Sequence, residues 1–454
     1  NGLERMVTPN GRLLRTGRES YHQTSMRTFP EIPDWVKLEH QVQQILTDQE
    51  THGWRIDVAL ARELTQVIQR ELEEASAILR DRHPHVGISQ FTPLRDNKTK
   101  GYFTGCVSTR LTDLNPTSRD HIAWILQEKH GWKPREFTAS TRNKEKQKPQ
   151  IDEKVLSEIG SEDSMLFMKC LTATKMLGML SSGVNAYLKL VTTSDRIHHH
   201  CSVGTVTGRC HHLRPNLGQT PSRSDFRKLF IPSEGMVMVG SDLAQIELRM
   251  LSHLLCRYDG GRYRDILLHG DIHQVNADAM GVTRREVKTL SYAIIYSAGN
   301  KKLGLTFDKT LSDEKANKKG KELREAFIGA IPGFGQLLAD IRTRAKGGWV
   351  KAIDGRKIHL DSPHKALNAC LQSSSAVIAK RWMLIAHETI KSTQLRAHQL
   401  AFIHDELQYE CDPQHANDLS SALTFAAAAA GEFYKVRCPI EADARIGASW
   451  ADTH

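Results

Sequence analysis

Apolar residues return at helical spacing between Trp35 and Arg80, with Val42, Ile45 and Leu46 on one stripe and Leu60, Leu64 and Ile68 on another. Such spacing places each set on one side of a helix. The stretch "NPTSRDHIAWIL" predicts a helix restarting after an N-cap at Ser118. Residues 166–188 predict a long amphipathic helix whose methionines serve as packing, and "ALTFAAAAAGEF" an alanine-rich helix stopped by Gly431. Strand signals are shorter. The continuous apolar run Met236 to Val239 reads as a buried strand ending at Gly240-Ser241-Asp242, and a helical pattern follows through Ile246, Met250, Leu251, Leu254 and Leu255. Farther on, "QLAFI" and "LQYEC" are strand-like runs joined by His404, Asp405 and Glu406, which predicts a hairpin with acids at its tip. Residues 1 to about 33 are polar, Arg-rich and broken by Pro9, Pro30 and Pro33, as in a linker; 95–105 and 140–150 are basic loops.

With 454 residues, 39% hydrophobic and 25% charged, the chain is long enough for a core divided into two or three subdomains. Lys and Arg number 62 against 52 Asp and Glu, a formal charge of +10, which points toward a polyanionic partner such as nucleic acid. No apolar run approaches the roughly 20 residues of a membrane span, and no signal-peptide pattern opens the chain. The eight cysteines are scattered without a C-x-x-C pair, as in a protein with reduced thiols in the cytoplasm. The first residue is Asn1 rather than methionine, as in a fragment or a processed product.

Asp242, where a strand gives way to a helix, and Asp405, at a hairpin tip, can converge at one edge of one sheet. Two carboxylates so placed suit two Mg²⁺ ions and in-line phosphoryl transfer; two unrelated turn aspartates are the plainer alternative. Between them lies "TRREVKTLSYAIIYSAG", residues 283–299. Thr283 and Glu286 make a capping box. Arg284, Lys288, Tyr292 and Tyr296 then recur every four residues on one helical face, opposite Leu290, Ile294 and Ile295. Two cations followed by two phenol rings suit a nucleoside triphosphate; a solvated basic edge is the alternative. The segment "HHHCSVGTVTGRCHH" offers Cys201, Cys210, His211 and His212 to zinc, but the spacing fits no common finger.

Together these stretches resemble the family A (DNA polymerase I-like) DNA polymerases. "SDLAQIELR" is similar to their motif A, "RREVKTLSYAIIY" to motif B and "IHDE" to motif C, in the family's order and separation. The resemblance is closest to the replicative polymerases of short-tailed phages. It runs from about residue 35 to His454 through "NPTSRDHI", "TVTGR", "PNLGQTP", "GDIH", "DGRK", "SPHKALNACLQS" and "GASWADTH", so the chain is expected to stop where such polymerases stop.

The resemblance implies an α+β right-hand fold with an antiparallel palm sheet, helical fingers and a helical thumb. It places a linker or remnant at 1–34, the thumb with connecting helices at 35–195, palm at 196–254, fingers at 255–371 and palm again at 372–454. Asp242 and Asp405 would hold two Mg²⁺ ions, with Mn²⁺ as a substitute, and Glu406 would support them. Arg284, Lys288 and His273 would contact the dNTP triphosphate, and Lys288 would also serve the chemistry. Glu247 would lie under the incoming sugar and exclude a 2′-hydroxyl, and Tyr292 implies tolerance of dideoxynucleotides. Arg209, Asn216, Gln219, Tyr296, Asn368, Gln372 and His404 would touch primer or template. Ala293 and Ser297 stand where glycines are more usual in the phage relatives. The implied reaction is template-directed transfer of dNMP to a primer 3′-end with release of pyrophosphate, in DNA replication. Residues 1–34 contain no paired acids of a 3′–5′ exonuclease, so no proofreading is expected of this chain. A helicase–primase or processivity factor fits as partner; thioredoxin is not expected, because His83 to Leu114 is short for its binding insertion. A single-subunit RNA polymerase differs around "AQIELR", which favours deoxynucleotides; a non-catalytic nucleic-acid clamp is the rival from another class.

Overall fold

The computed structural model describes residues 31–138 and 147–454. The predicted linker up to residue 30 and residues 139–146 of the second basic loop lie outside the described residues. The first helical stretch is two helices: α1 (Asp34–His52) and α2 (Val58–Arg82) flank the short strand β1 (Trp54–Ile56). Gly53 makes the break at φ 70, in the left-handed region that glycine adopts without a Cβ penalty. The two stripes therefore face different neighbours. Val42, Ile45 and Leu46 join the largest core, whereas Ile68 joins a second one around Trp54, Phe230 and Trp450.

After α2 come the paired strands β2 (His85–Phe91) and β3 (Ser108–Asp113), then α3 (Arg119–His130), α4 (Glu153–Ile159) and α5 (Glu162–Leu177). Ser118 is the N-cap residue of α3, but its side chain makes no capping hydrogen bond. The long amphipathic helix predicted for 166–188 ends at Leu177 and passes into a π-helical turn, Gly178–Ser182. Leu79, Ile122, Leu126, Leu156 and Phe167 bury one another to form a third core in this bundle.

A hairpin of β4 (His200–Ser202) and β5 (His211–Leu213) precedes β6 (Val237–Leu243), which leads into α6 (Ile246–Asp259). The helical region continues with α7 (Ile272–Met280), α8 (Arg284–Ile295), α9 (Asn300–Phe307), α10 (Asp313–Ala330) and the long α11 (Ala366–Ser392). α9 and α10 lie backbone to backbone: a Cβ on Gly304 would run into the Ala316 carbonyl, and one on Gly320 into that of Asn300.

The main sheet is completed by β7 (Ala397–Ile403), β8 (Glu406–Cys411) and, after α12 (Ala416–Phe433), β9 (Ala442–Gly447). Its order is β7-β8-β6-β9, antiparallel throughout. Both faces are covered: Val239, Phe402, Leu407 and Tyr409 meet the helical core, while Met238, Leu400 and Ile403 meet the Trp54–Trp450 cluster. Gly431 does not stop α12, which runs on to Phe433; a Cβ there would press on Ile440, so the glycine serves close packing.

Every residue of β8 is buried, although its sequence alternates apolar and polar. The polar members are satisfied internally. Glu410 accepts from Ser233 N at 2.7 Å and Arg196 Nη2 at 3.2 Å, with His52 Nε2 2.7 Å away. Burial opposes the Glu410 charge, but the His52, Ser233 and Arg196 contacts outweigh it and hold the carboxyl down at about 2. A second buried network joins α1 to α11: Glu39 pairs with Lys380 Nζ at 2.6 Å and with Arg356, which also bonds Asp354 at 2.7 Å.

Candidate active site

Asp242 lies inside β6, in register with Glu406 of β8 on one side and Asp443 of β9 on the other. The strand runs beyond the apolar segment because Gly240 to Asp242 still pair with both neighbours and Leu243 with β9. Asp405 shares a two-residue turn with His404, which takes φ 61, and the Asp405 carbonyl accepts from Leu243 N at 3.0 Å. Asp242 and Asp405 thus meet at one end of adjacent strands, as the sequence predicts.

The three central acids are held differently. Asp242 is exposed at the end of its run of buried strand residues, yet desolvation by the surrounding protein, reinforced by the charges of Asp405 and Glu406, pushes its carboxyl up to about 7. Burial also raises Asp405, with Arg209 opposing it. Glu406 is the satisfied one: Trp450 Nε1 donates at 2.5 Å, Gln408 Nε2 at 2.7 Å, and His454 Nδ1 lies 2.8 Å away. Burial opposes its charge, but these partners outweigh it and keep the carboxyl below its ordinary value. The site therefore gathers three carboxyl groups that Arg209 and His454 compensate only in part, an arrangement that suits cations.

α8 opens with the predicted capping box, Thr283 and Glu286 each bonding the other's backbone. Val287, Leu290, Ile294 and Ile295 are buried; Arg284 and Lys288 are exposed, and Tyr292 is half-buried. Tyr296 lies one residue past the helix as its C-cap, its ring 6.0 Å from that of Tyr292. Arg284 Nε donates to Asp271, the N-cap of α7, at 2.7 Å. His273 follows in the first turn of α7 and shares a small recess with Tyr292, Leu248 and Tyr263. Burial lowers its basicity, assisted by Lys288 and Arg284 and opposed by Asp271.

Glu247, in the first turn of α6, joins the two regions. Arg209 bonds one of its carboxylate oxygens and the Tyr296 hydroxyl the other. Asp405 is near enough to Tyr292 to disfavour ionisation of the phenol, behind burial and Glu247 as causes. Acids, tyrosines and Arg209 therefore share one cleft.

Around the turn, the His404 ring stands edge-on to His212 at 5.8 Å, and Gly218 sits beside both of them and Asn216. Burial drives the His212 imidazole down to about 4, with the neighbouring His404 adding to it. Gln219 is exposed, whereas Asn368 and Gln372, one turn apart on α11, are half-buried; the Asn368 side-chain oxygen is buried without a partner.

Four further residues stand at the site without having been singled out: Arg227 and Asp443 lie in no motif, and Trp450 and His454 lie in "GASWADTH", which names no role for them. Arg227 lies against Trp450, 4.8 Å from its ring centroid, and senses the charges of Glu406 and Asp242. Asp443, Trp450 and His454 reach the carboxylates only because β9 and the segment after it fold back along β6. Only convergence in space marks them. Cys201 and Cys210 are buried, and with His211 and His212 they form no metal-ligand cluster among the described residues.

The model of the family described as DNA polymerase family A matches residues 103–452. The DNA-directed DNA polymerase of Enterobacteria phage T3 is 32% identical over 401 residues, covering 78% of this chain and 55% of the relative. That of Escherichia phage T7 is 31% identical over 401 residues, with the same coverage. The chain thus spans about half the length of these curated relatives. Among solved structures, the POL domain of Pol1 from M. smegmatis, in complex with DNA primer-template and dNTP, superposes with a TM-score of 0.71 at 23% identity. It covers 91% of this chain and 70% of that one, so the two share the same α+β fold.

Proposed function

The chain belongs to DNA polymerase family A, and on that premise we propose that it extends a DNA primer along a template, transferring dNMP from dNTP to the 3′-hydroxyl and releasing pyrophosphate. The observation that carries this reading is the pair Asp242 and Asp405 meeting at adjoining strand ends, with Tyr292 of α8 close to Asp405. We assign residues 35–195 to the thumb and connecting helices, 196–254 and 372–454 to the palm, and 255–371 to the fingers.

The donor set fits a divalent cation site. Two carboxylates of raised pKa, with Glu406 bound elsewhere, favour Mg²⁺, or Mn²⁺ as a substitute. Two such ions would lower the pKa of the primer hydroxyl and stabilise charge on the attacked phosphate and the leaving group. Asp242 and Asp405 would hold them, while Glu406, itself fixed by Trp450, Gln408 and His454, would support them from close by. Arg284, Lys288 and His273 receive the triphosphate. For this, Arg284 exchanges the Asp271 carboxylate for a phosphate, and Lys288 neutralises the departing pyrophosphate. Tyr292 packs on the sugar and Glu247 closes the space a 2′-hydroxyl needs. Arg209, Asn216, Gln219, Tyr296, Asn368, Gln372 and His404 hold primer and template beside the new pair, reading shape rather than sequence.

Primer extension with Mg²⁺ tests the proposal. Extension is expected with dNTPs but not NTPs, and Asp405→Ala should lose on the order of a hundred- to thousandfold in rate while still binding duplex. Extension with NTPs would favour an RNA polymerase; duplex binding without extension by the unaltered chain would favour a clamp.

A further inference from the structure

Three side chains from three helix ends in the bundle of α2, α3 and α5 converge on one point. His83 is the residue capping the end of α2, His130 is the last of α3, and Asp163 lies in the first turn of α5. His83 Nε2 is 2.6 Å and His130 Nε2 3.0 Å from the same oxygen of Asp163, Oδ2. One ligand atom from each of the three lies within 4.8 Å of the others. We propose that His83, His130 and Asp163 form a structural site for a transition-metal ion, best matched to Zn²⁺, that ties these helix ends together.

The chemistry selects the class of ion. Two imidazoles and one carboxylate suit zinc, whereas magnesium prefers an all-oxygen shell. Metal–ligand distances near 2.0–2.2 Å require the three atoms to stand only slightly farther apart than hydrogen-bonded groups do. A short outward movement of the two rings lets an ion replace the hydrogens now shared with Oδ2. The second carboxylate oxygen, Oδ1, is already oriented by Arg82 Nη1 at 2.9 Å, the outer-shell support that metal-binding carboxylates use. Arg82 also pairs with Glu162 at 2.5 Å, so the two acids leave one negative charge beyond the arginine to meet a cation. Burial opposes ionisation of Asp163, but the bonds from His83, His130 and Arg82 outweigh it and keep the carboxylate charged, as a ligand must be. His130 is the exposed member of the three, and it lines a cleft of about 1080 Å³ that is also lined by Lys301, Leu305 and Lys309 to Asp313. Three protein ligands leave a coordination position for water.

The test is zinc content after loading with Zn²⁺ and gel filtration in excess Mg²⁺, which occupies the palm acids. The unaltered chain should retain about one zinc, and so should Cys201→Ser/Cys210→Ser. His83→Gln/His130→Gln should lose it, with affinity reduced at least roughly a hundredfold, since outer-shell changes alone cost 10–100-fold. Zinc should raise the melting temperature of the unaltered chain but not of the double variant, with primer extension in Mg²⁺ little changed. If circular dichroism shows the double variant misfolded, the single His130→Gln, at the more exposed ligand, supplies the same comparison. The proposal is overturned if the unaltered chain retains no zinc, if a folded histidine variant keeps it, or if the ion leaves with the cysteines instead.

Discussion

Ser297 adopts φ 60, a left-handed backbone that costs a residue with a Cβ about 1 kcal/mol. A glycine, the residue that the family resemblance leads one to expect at this position, adopts that backbone without the cost. Here the serine hydroxyl donates to the His364 carbonyl at 2.7 Å, which offsets the strain. Ser297→Ala keeps the strain and loses the bond, so urea unfolding should show a loss of about 1 kcal/mol, and Ser297→Gly a change near zero. Ala293, the other departure, packs against the main core, so its methyl is accommodated. Asp242 yields a pH effect. Its folded pKa, raised from the ordinary carboxylate range to about 7, means that the native state binds the proton more tightly than the unfolded chain does. Stability from this group is therefore full below about pH 4 and lost as pH rises toward 7. In chelator, Asp242→Asn should melt higher than the parent at pH 8 and alike at pH 4, and Mg²⁺ should shrink the gap; equal melting at both pH values would contradict this. Asp242 and Asp405 were legible in the sequence because each sits at a change of hydrophobic period. Arg227 and Asp443 were not, because distant pairing brings them to the site and no local pattern does; His454 lies in a resembling stretch, but its contact with Glu406 depends on the same pairing.

Among elements, α8 is the most legible, since its cap, cationic face and buried face all follow one helical period. Thr283→Ala removes a cap that typically contributes about 1 kcal/mol. Hydrogen exchange of the amides at 284–287 should quicken, while the palm amides of β6 stay protected. β8 was legible as a strand but not as a buried one. Its alternation suggests one wet face, yet His52, Arg196, Ser233 and Thr453 reach that face from elsewhere in the chain. The break at Gly53 was hidden because Trp54 and Ile56 continue an apolar pattern that fits either state. The contact of α9 with α10 rests on the absence of side chains at Gly304 and Gly320. Gly320→Ala should part the two helices and destabilise by roughly 1–3 kcal/mol, the usual range for overpacking, seen as a lower denaturation midpoint.

For the molecule as a whole, the buried network of Glu39, Lys380 and Arg356 joins the first helix to α11 and to the segment preceding it. Glu39→Ala leaves Lys380, 1% exposed, without its carboxylate. A loss of about 3–5 kcal/mol is expected in chemical denaturation, as for other broken buried pairs. Architecture at this scale was legible mainly through family resemblance, because no residue pattern states which strands lie side by side. The sheet order has a consequence for biosynthesis. One of the two interior strands, β6, ends at Leu243, and its neighbours begin only at Glu406 and Ala442. At roughly 5–20 residues per second, a ribosome takes on the order of 10–30 s to deliver the first of them. Throughout that interval the strand bearing Asp242 emerges with both edges unpaired, while the helices that follow it can already fold. Nascent chains stalled in this window should carry ordered helices and an exposed strand, making them the species most in need of a chaperone.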